Sequence, residues 1–78
     1  MLDPRLIEAI SEEFDVPPEQ VTPDSSSQTI EDWDSVGHLR LILHLEQTFQ
    51  VRFPTSEIPK LVSAGLIQAE LDRHRAQS

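Results

Sequence analysis

The sequence predicts an all-α fold: a small four-helix bundle, with three main helices, one short helix and a long loop between helices 1 and 2. Three observations lead there. Apolar residues recur at helical spacing in separated stretches, and prolines with an acid- and serine-rich segment divide those stretches. No alternating apolar run, paired hairpin or internal repeat is present. The length of 78 residues supports one domain, 1–78. A chain this short hides only about two thirds of its unfolded surface, so its core is modest.

Helix 1 is expected over about residues 4–14. Asp3 supplies a cap and Pro4 a first-turn residue with the right φ. Leu6, Ile7, Ile10 and Phe14 then share one face, with Glu8 and Glu12 opposite, and Pro17-Pro18 prevents continuation. Residues 15–34 show no sustained periodicity, and Pro23-Asp24-Ser25-Ser26-Ser27 disfavours helix and interior strand alike. Loops of this length in compact domains tend to be functional. Val16, Val21, Ile30 and Trp33 are its large apolar residues and are expected to pin it across the helices.

Helix 2, about 35–49, is the most strongly patterned element. Leu39, Ile42, Leu45 and Phe49, widened by Leu41, form the expected apolar stripe. Gly37, Arg40, His44 and Gln47 form the expected polar stripe, with Val36 and Leu43 as exposed apolar residues beside it. Of the histidines, His44 reads as solvated surface and His38 as a first-turn residue edging the apolar side. Phe53-Pro54-Thr55 breaks the helix, and a short helical turn is expected around 56–60, limited by Pro59. Ser63 then caps a last helix with Leu66, Ile67 and Leu71 as its apolar positions and His74 beside them.

Composition narrows the function. Residues 1–34 carry ten acids against Arg5 alone, whereas residues 35–78 carry four acids and five bases. The acidic half repels nucleic acid and anionic lipid and attracts basic surfaces. There is no cysteine, which removes disulfide and thiolate-metal frameworks. The N-terminus lacks the pattern of a signal peptide, and no apolar run approaches the ~20 residues of a membrane span. A soluble, cytoplasmic monomer that binds neither nucleic acid nor membrane is expected.

Chemistry concentrates at Trp33-Asp34-Ser35-Val36-Gly37-His38-Leu39. A hydrolase elbow needs Gly-x-Ser-x-Gly, but Trp33 stands where the first glycine belongs, and His38 and His44 lie on the serine's own helix. A calcium loop starting at Asp32 fails at Val36 and at Leu43, where the closing glutamate belongs. His38 and His44 are six apart, which is not the i, i+4 spacing of a zinc helix. The expectation is a protein that is not an enzyme and binds no metal. What remains is Ser35 as a modified residue: Asp34 caps the helix, and a phosphodiester on the Ser35 hydroxyl lies near free first-turn N–H groups.

Asp34-Ser35-Val36, followed by a long helix ending Leu45-Glu46-x-x-Phe49, resembles the acyl and peptidyl carrier proteins, whose attachment motif is Asp-Ser-Leu. The resemblance continues through Val21-Thr22-Pro23-Asp24-Ser25, Phe49-x-Val51-x-Phe53, Ile58 and the Ser63-capped helix. It implies that a phosphopantetheinyl transferase moves 4′-phosphopantetheine from coenzyme A onto Ser35. The arm's thiol, absent from the chain itself, then bears an acyl or aminoacyl group as a thioester. Asp34 is implied in transferase recognition as well as capping. Val36, Arg40, Leu43 and Glu46 are implied as the face read by a loading ligase or synthase and by acyl-transfer enzymes. The alternative is a carrier-like helical interaction module without the prosthetic group.

The sequence departs from that family most in the charge of helix 2, beside the change of Asp-Ser-Leu to Asp34-Ser35-Val36. Fatty-acid carriers have a strongly acidic helix 2, whereas the exposed stripe expected here contains Gly37, Arg40, His44 and Gln47, with Glu46 the main acid kept. Like charges at contact disfavour docking to basic patches. A specialised carrier, for polyketide, nonribosomal peptide or aminoacyl transfer, is therefore expected.

Overall fold

The computed structural model describes residues 2–77, with side chains through His74. Three α-helices, α1 (Pro4–Phe14), α2 (Ser35–Phe49) and α3 (Ala64–Gln77), are joined by segments containing 3₁₀ turns at Pro18–Gln20 and Ile58–Lys60. The first turn was not anticipated, and the second is the short helical turn expected around 56–60, in 3₁₀ form. The turn stops after three residues, where Leu61 leaves helical geometry at ψ 63° and returns its N–H to the Ile58 carbonyl. Among the described residues there is no strand, only an isolated bridge between Ser26 and Ser63.

Local contacts start and stop α1 and stop α2. The Asp3 carboxylate accepts the Arg5 N–H at 2.8 Å, opening α1. Asp15 ends it in the left-handed region at φ 53°, returning its N–H to the Ser11 carbonyl. Gln50 ends α2 in the same way at φ 54°. At α3, the Ser63 hydroxyl accepts the Leu66 N–H at 3.3 Å. The Ala64 and Gly65 N–H groups reach back to the carbonyls of Ser25 and Pro23, each at 2.9 Å. The long loop thereby supplies the acceptors that the start of α3 lacks.

The core is built from Leu6 and Ile10 of α1, Leu41, Ile42 and Leu45 of α2, and Ile67 and Leu71 of α3, all fully buried. Val21, Ile30 and Trp33 of the loop are also buried, and Val16 packs against them. The loop is knitted by its hydroxyls: Ser25 Oγ accepts the Thr22 N–H, and Thr29 Oγ1 accepts the Ser26 N–H, both at 2.9 Å. Serine and threonine close such turns by bonding nearby backbone.

Four expectations on side-chain orientation need correction. Leu39 is 51% exposed and is not part of the buried stripe. The inner face of α2 instead contains Gly37, Leu41, Ile42 and Leu45, so Gly37 is buried and not on the polar stripe. A Cβ on Gly37 would lie 2.5 Å from the Asp32 carbonyl oxygen and 2.9 Å from the Phe14 ring, so only glycine permits that approach. The close approach turns the 37-41-45 line inward and Leu39 outward. His44 is half-buried against α1, with Nδ1 3.2 Å from Glu13 Oε1 and Nε2 3.9 Å from Glu12 Oε2. Leu66 is 47% exposed, because Ala64, Ile67 and Leu71 face the core. His74 does adjoin the apolar positions, meeting Phe53 edge-on at 5.6 Å.

Candidate functional site: the start of α2 and its groove

Ser35 is the first residue of α2 and is exposed. Asp34 precedes it in extended conformation, and its carboxylate accepts the Gly37 N–H at 2.7 Å. The Asp34 carbonyl accepts the His38 N–H at 2.8 Å. Helical geometry then leaves the N–H groups of Ser35 and Val36 without an intrahelical acceptor, beside the serine hydroxyl at the positive end of the helix dipole. Among the described residues no hydrogen bond uses that hydroxyl, which leaves it available for covalent modification.

A groove of about 550 Å³ runs alongside. Ser35, His38 and Leu39 line it from α2, where positions i, i+3 and i+4 share a face. Ile58, Pro59 and Val62 line it from the segment leading into α3. Its walls are mainly apolar, with Ser27, Asp34 and Ser35 among the polar residues. An exposed hydroxyl beside a mostly apolar groove and two free N–H donors fits a phosphodiester-linked arm.

His38 ties these walls together, a role that helical periodicity does not reveal. The Trp33 indole Nε1–H donates to His38 Nδ1 at 2.9 Å. Indole nitrogen can only donate, so Nδ1 is the acceptor and the proton sits on Nε2. That Nε2–H then donates to the Ile58 carbonyl, also at 2.9 Å. Neither ring nitrogen is left to take a proton from Ser35, which argues against a Ser–His nucleophile. A signal for this bond exists in the sequence: a buried tryptophan needs an acceptor for its N–H, and His38 is five residues away.

The outward face of α2 carries an apolar ridge. Val36 is 59% exposed, Leu39 51% and Leu43 53%, with the exposed Arg40 among them. Glu46 is half-buried, and its Oε2 accepts the Phe53 N–H at 2.8 Å, so one carboxylate oxygen is committed to holding the exit from α2. Of the polar stripe expected from sequence, Arg40 and Gln47 are exposed, while Gly37 and His44 turn inward.

No helix of the described residues is long and apolar enough to cross a membrane. A family model described as a phosphopantetheine attachment site matches residues 4–64, which include all of α1, α2 and the groove-forming segment. An acyl carrier protein of Lactobacillus johnsonii is 31% identical over 61 residues, covering 78% of this chain and 76% of that protein. The prosthetic group that goes with this match is 4′-phosphopantetheine, held covalently, and the geometry around Ser35 fits it. The chain belongs to the phosphopantetheine-attachment family that includes the acyl carrier proteins.

Proposed function

We propose that this protein is a carrier modified on Ser35, delivering an acyl or aminoacyl group between enzymes of a specialised biosynthetic pathway. The observation that carries the reading is the exposed Ser35 hydroxyl at the capped start of α2, on the edge of the 550 Å³ groove. The prosthetic group supplies the thiol that the cysteine-free chain lacks. Tethering raises the effective concentration of the cargo at each successive enzyme. The chain's own part is to present the serine, orient it through the Asp34 cap and offer a surface to partners.

In this reading the phosphopantetheinyl transferase recognises Asp34 with Ser35. The loading ligase or synthase and the acyl-transfer enzymes dock on Val36, Arg40 and Leu43, with the free oxygen of Glu46 at the far margin. Arg40 as the exposed charge on that ridge supports partners other than those that grip an acidic helix 2. Polyketide, nonribosomal-peptide and aminoacyl-transfer enzymes fit that requirement better than fatty-acid synthase enzymes. The carrier works as a cytoplasmic monomer, where coenzyme A supplies the arm.

The test is incubation with coenzyme A and a broad-specificity transferase, followed by intact-protein mass spectrometry. One phosphopantetheine is expected on wild-type protein and none on Ser35→Ala. An unmodified wild-type protein, or an equally modified Ser35→Ala, overturns the assignment and leaves an interaction module without the group.

A further inference from the structure

The segment 54–62 forms one wall of the groove beside Ser35, yet it is poorly tied to the rest of the molecule by polar contacts. Its backbone bonds run Glu57 to Pro54, Lys60 to Glu57 and Leu61 to Ile58, all inside the segment. Among the described residues, its single hydrogen bond to another part of the protein is the one from His38 Nε2–H to the Ile58 carbonyl. His38 cannot turn freely to make that bond. Its other nitrogen is held by the Trp33 indole, and its ring lies 6.1 Å from Trp33 at an interplanar angle of 20°. Trp33 is buried and in turn stacks on Phe14 at 5.1 Å. A chain of contacts thus runs from α1, through the loop and the first turn of α2, to the opposite wall.

We propose that His38 is a positioning residue for loading Ser35: anchored by Trp33, it fixes the 54–62 wall through the Ile58 carbonyl and so sets the groove that the transferase meets. His38 sits one turn beyond Ser35 on the same face, and both line the groove. The inference rests on the assignment of Ser35 as the attachment site. It adds a second residue whose two nitrogens have separable tasks. Nδ1 satisfies a buried donor and supports stability. Nε2 holds a wall and supports loading.

Three variants separate those tasks. His38→Asn retains an acceptor near the Nδ1 position but does not reach Ile58. His38→Gln extends an amide donor to the Nε2 position. His38→Phe supplies neither group. The readouts are the melting temperature, the shift of the indole N–H resonance of Trp33, the sole tryptophan, and transferase kinetics with coenzyme A. With all variants assayed well below their melting temperatures, loss of one hydrogen bond raises KM for the carrier about fivefold in His38→Phe and His38→Asn. His38→Gln recovers most of that loss, whereas melting temperature and indole shift are recovered by His38→Asn. Rescue of loading by Asn and not by Gln shows a purely structural residue and overturns the proposal, as does wild-type KM in all three. If wild-type protein accepts no phosphopantetheine, the Ser35 assignment falls. Amide exchange at Leu61 and Val62 then judges the wall-holding role separately: faster exchange in Phe and Asn but not Gln upholds it, and uniform exchange rejects it.

Discussion

The connection between α1 and α2 and the outward face of α2 invert the usual association of order with burial. Residues 15–34 lack helical periodicity, yet Val21, Ile30 and Trp33 are at most 7% exposed. α2 is the longest helix of the described residues, yet Val36, Leu39 and Leu43 are each more than half exposed. Apolar residues of the loop act as core, because Trp33 stacks on Phe14 of α1 and the loop supplies carbonyl acceptors to α3. Those of α2 are left in solvent beside Ser35. Isolated exposed leucines need no explanation, but an apolar ridge contiguous with a groove and the proposed attachment serine supports the docking surface proposed for it. The difference separates what holds the protein together from what it offers to others.

Substitutions test that separation, and the loop should be the more costly side. Trp33→Ala removes a buried ring that stacks on Phe14 and takes away the donor to His38. Truncation of a buried aromatic costs about 3–5 kcal/mol, a large share of the stability of a small domain. Urea denaturation should show that loss. Trp33→Phe should cost less, mainly the unsatisfied His38 Nδ1, about 1–3 kcal/mol. Near-wild-type stability in Trp33→Ala would mean that the loop is dispensable to the core and would break the comparison.

Gly37→Ala is the next largest effect, and its sign is informative. Alanine is favoured over glycine in a helix interior by about 1 kcal/mol, less near the first turn. Against that, the new Cβ would approach backbone at Asp32 to 2.5 Å and the Phe14 ring to 2.9 Å. Overpacking of a filled site costs about 1–3 kcal/mol, so the variant should melt several degrees lower despite its better propensity. A raised melting temperature would show that the junction between loop and helix yields easily.

The same glycine explains where sequence reading succeeded and where it failed. Helix limits depend on caps and prolines, which act locally: α1 begins at Asp3-Pro4 and stops before Pro17-Pro18, and α2 begins at the Asp34 cap. Which face points inward depends on tertiary contact. Leu39 shares i+3 spacing with Ile42 and so matched a core stripe, but the close contact at Gly37 selects the line 37-41-45. An isolated glycine within a leucine-rich helix is a recognisable sign of close approach. His44 looked solvated because its partners, Glu12 and Glu13, lie on another helix, about thirty residues away in sequence. The Asp34 cap and the place of Ser35 at the start of α2 were legible because they depend on one helix end. The groove was not legible, since its second wall comes from Ile58, Pro59 and Val62 across the fold.

At the junction of the two regions, Asp34→Ala removes the carboxylate that accepts the Gly37 N–H. A lost N-cap costs about 1 kcal/mol, measurable by denaturation. Asp34→Asn keeps an equivalent acceptor and should leave stability nearly unchanged, so a fall in its modification rate would support the proposed recognition of the negative charge by the transferase, and an unchanged rate would reject it.

The smallest effect on stability belongs to the ridge. Leu43→Ser and Val36→Ser replace side chains that are 53% and 59% exposed and belong to no buried cluster, so each should shift stability by no more than about 0.5 kcal/mol. If the ridge is the docking face, the same variants should accept phosphopantetheine yet lose several-fold in acyl transfer from a cognate loading enzyme, with the loss in KM, since apolar anchors of an interface carry a disproportionate share of its affinity. Arg40→Glu tests the charge at the same place. It should weaken the cognate loading reaction and improve acceptance by fatty-acid synthase enzymes that grip acidic helices, at little cost in stability. An unchanged preference in Arg40→Glu, together with undiminished transfer to Leu43→Ser, would move partner selection off α2 and onto the loop, assigning both stability and recognition to the region that looked least structured.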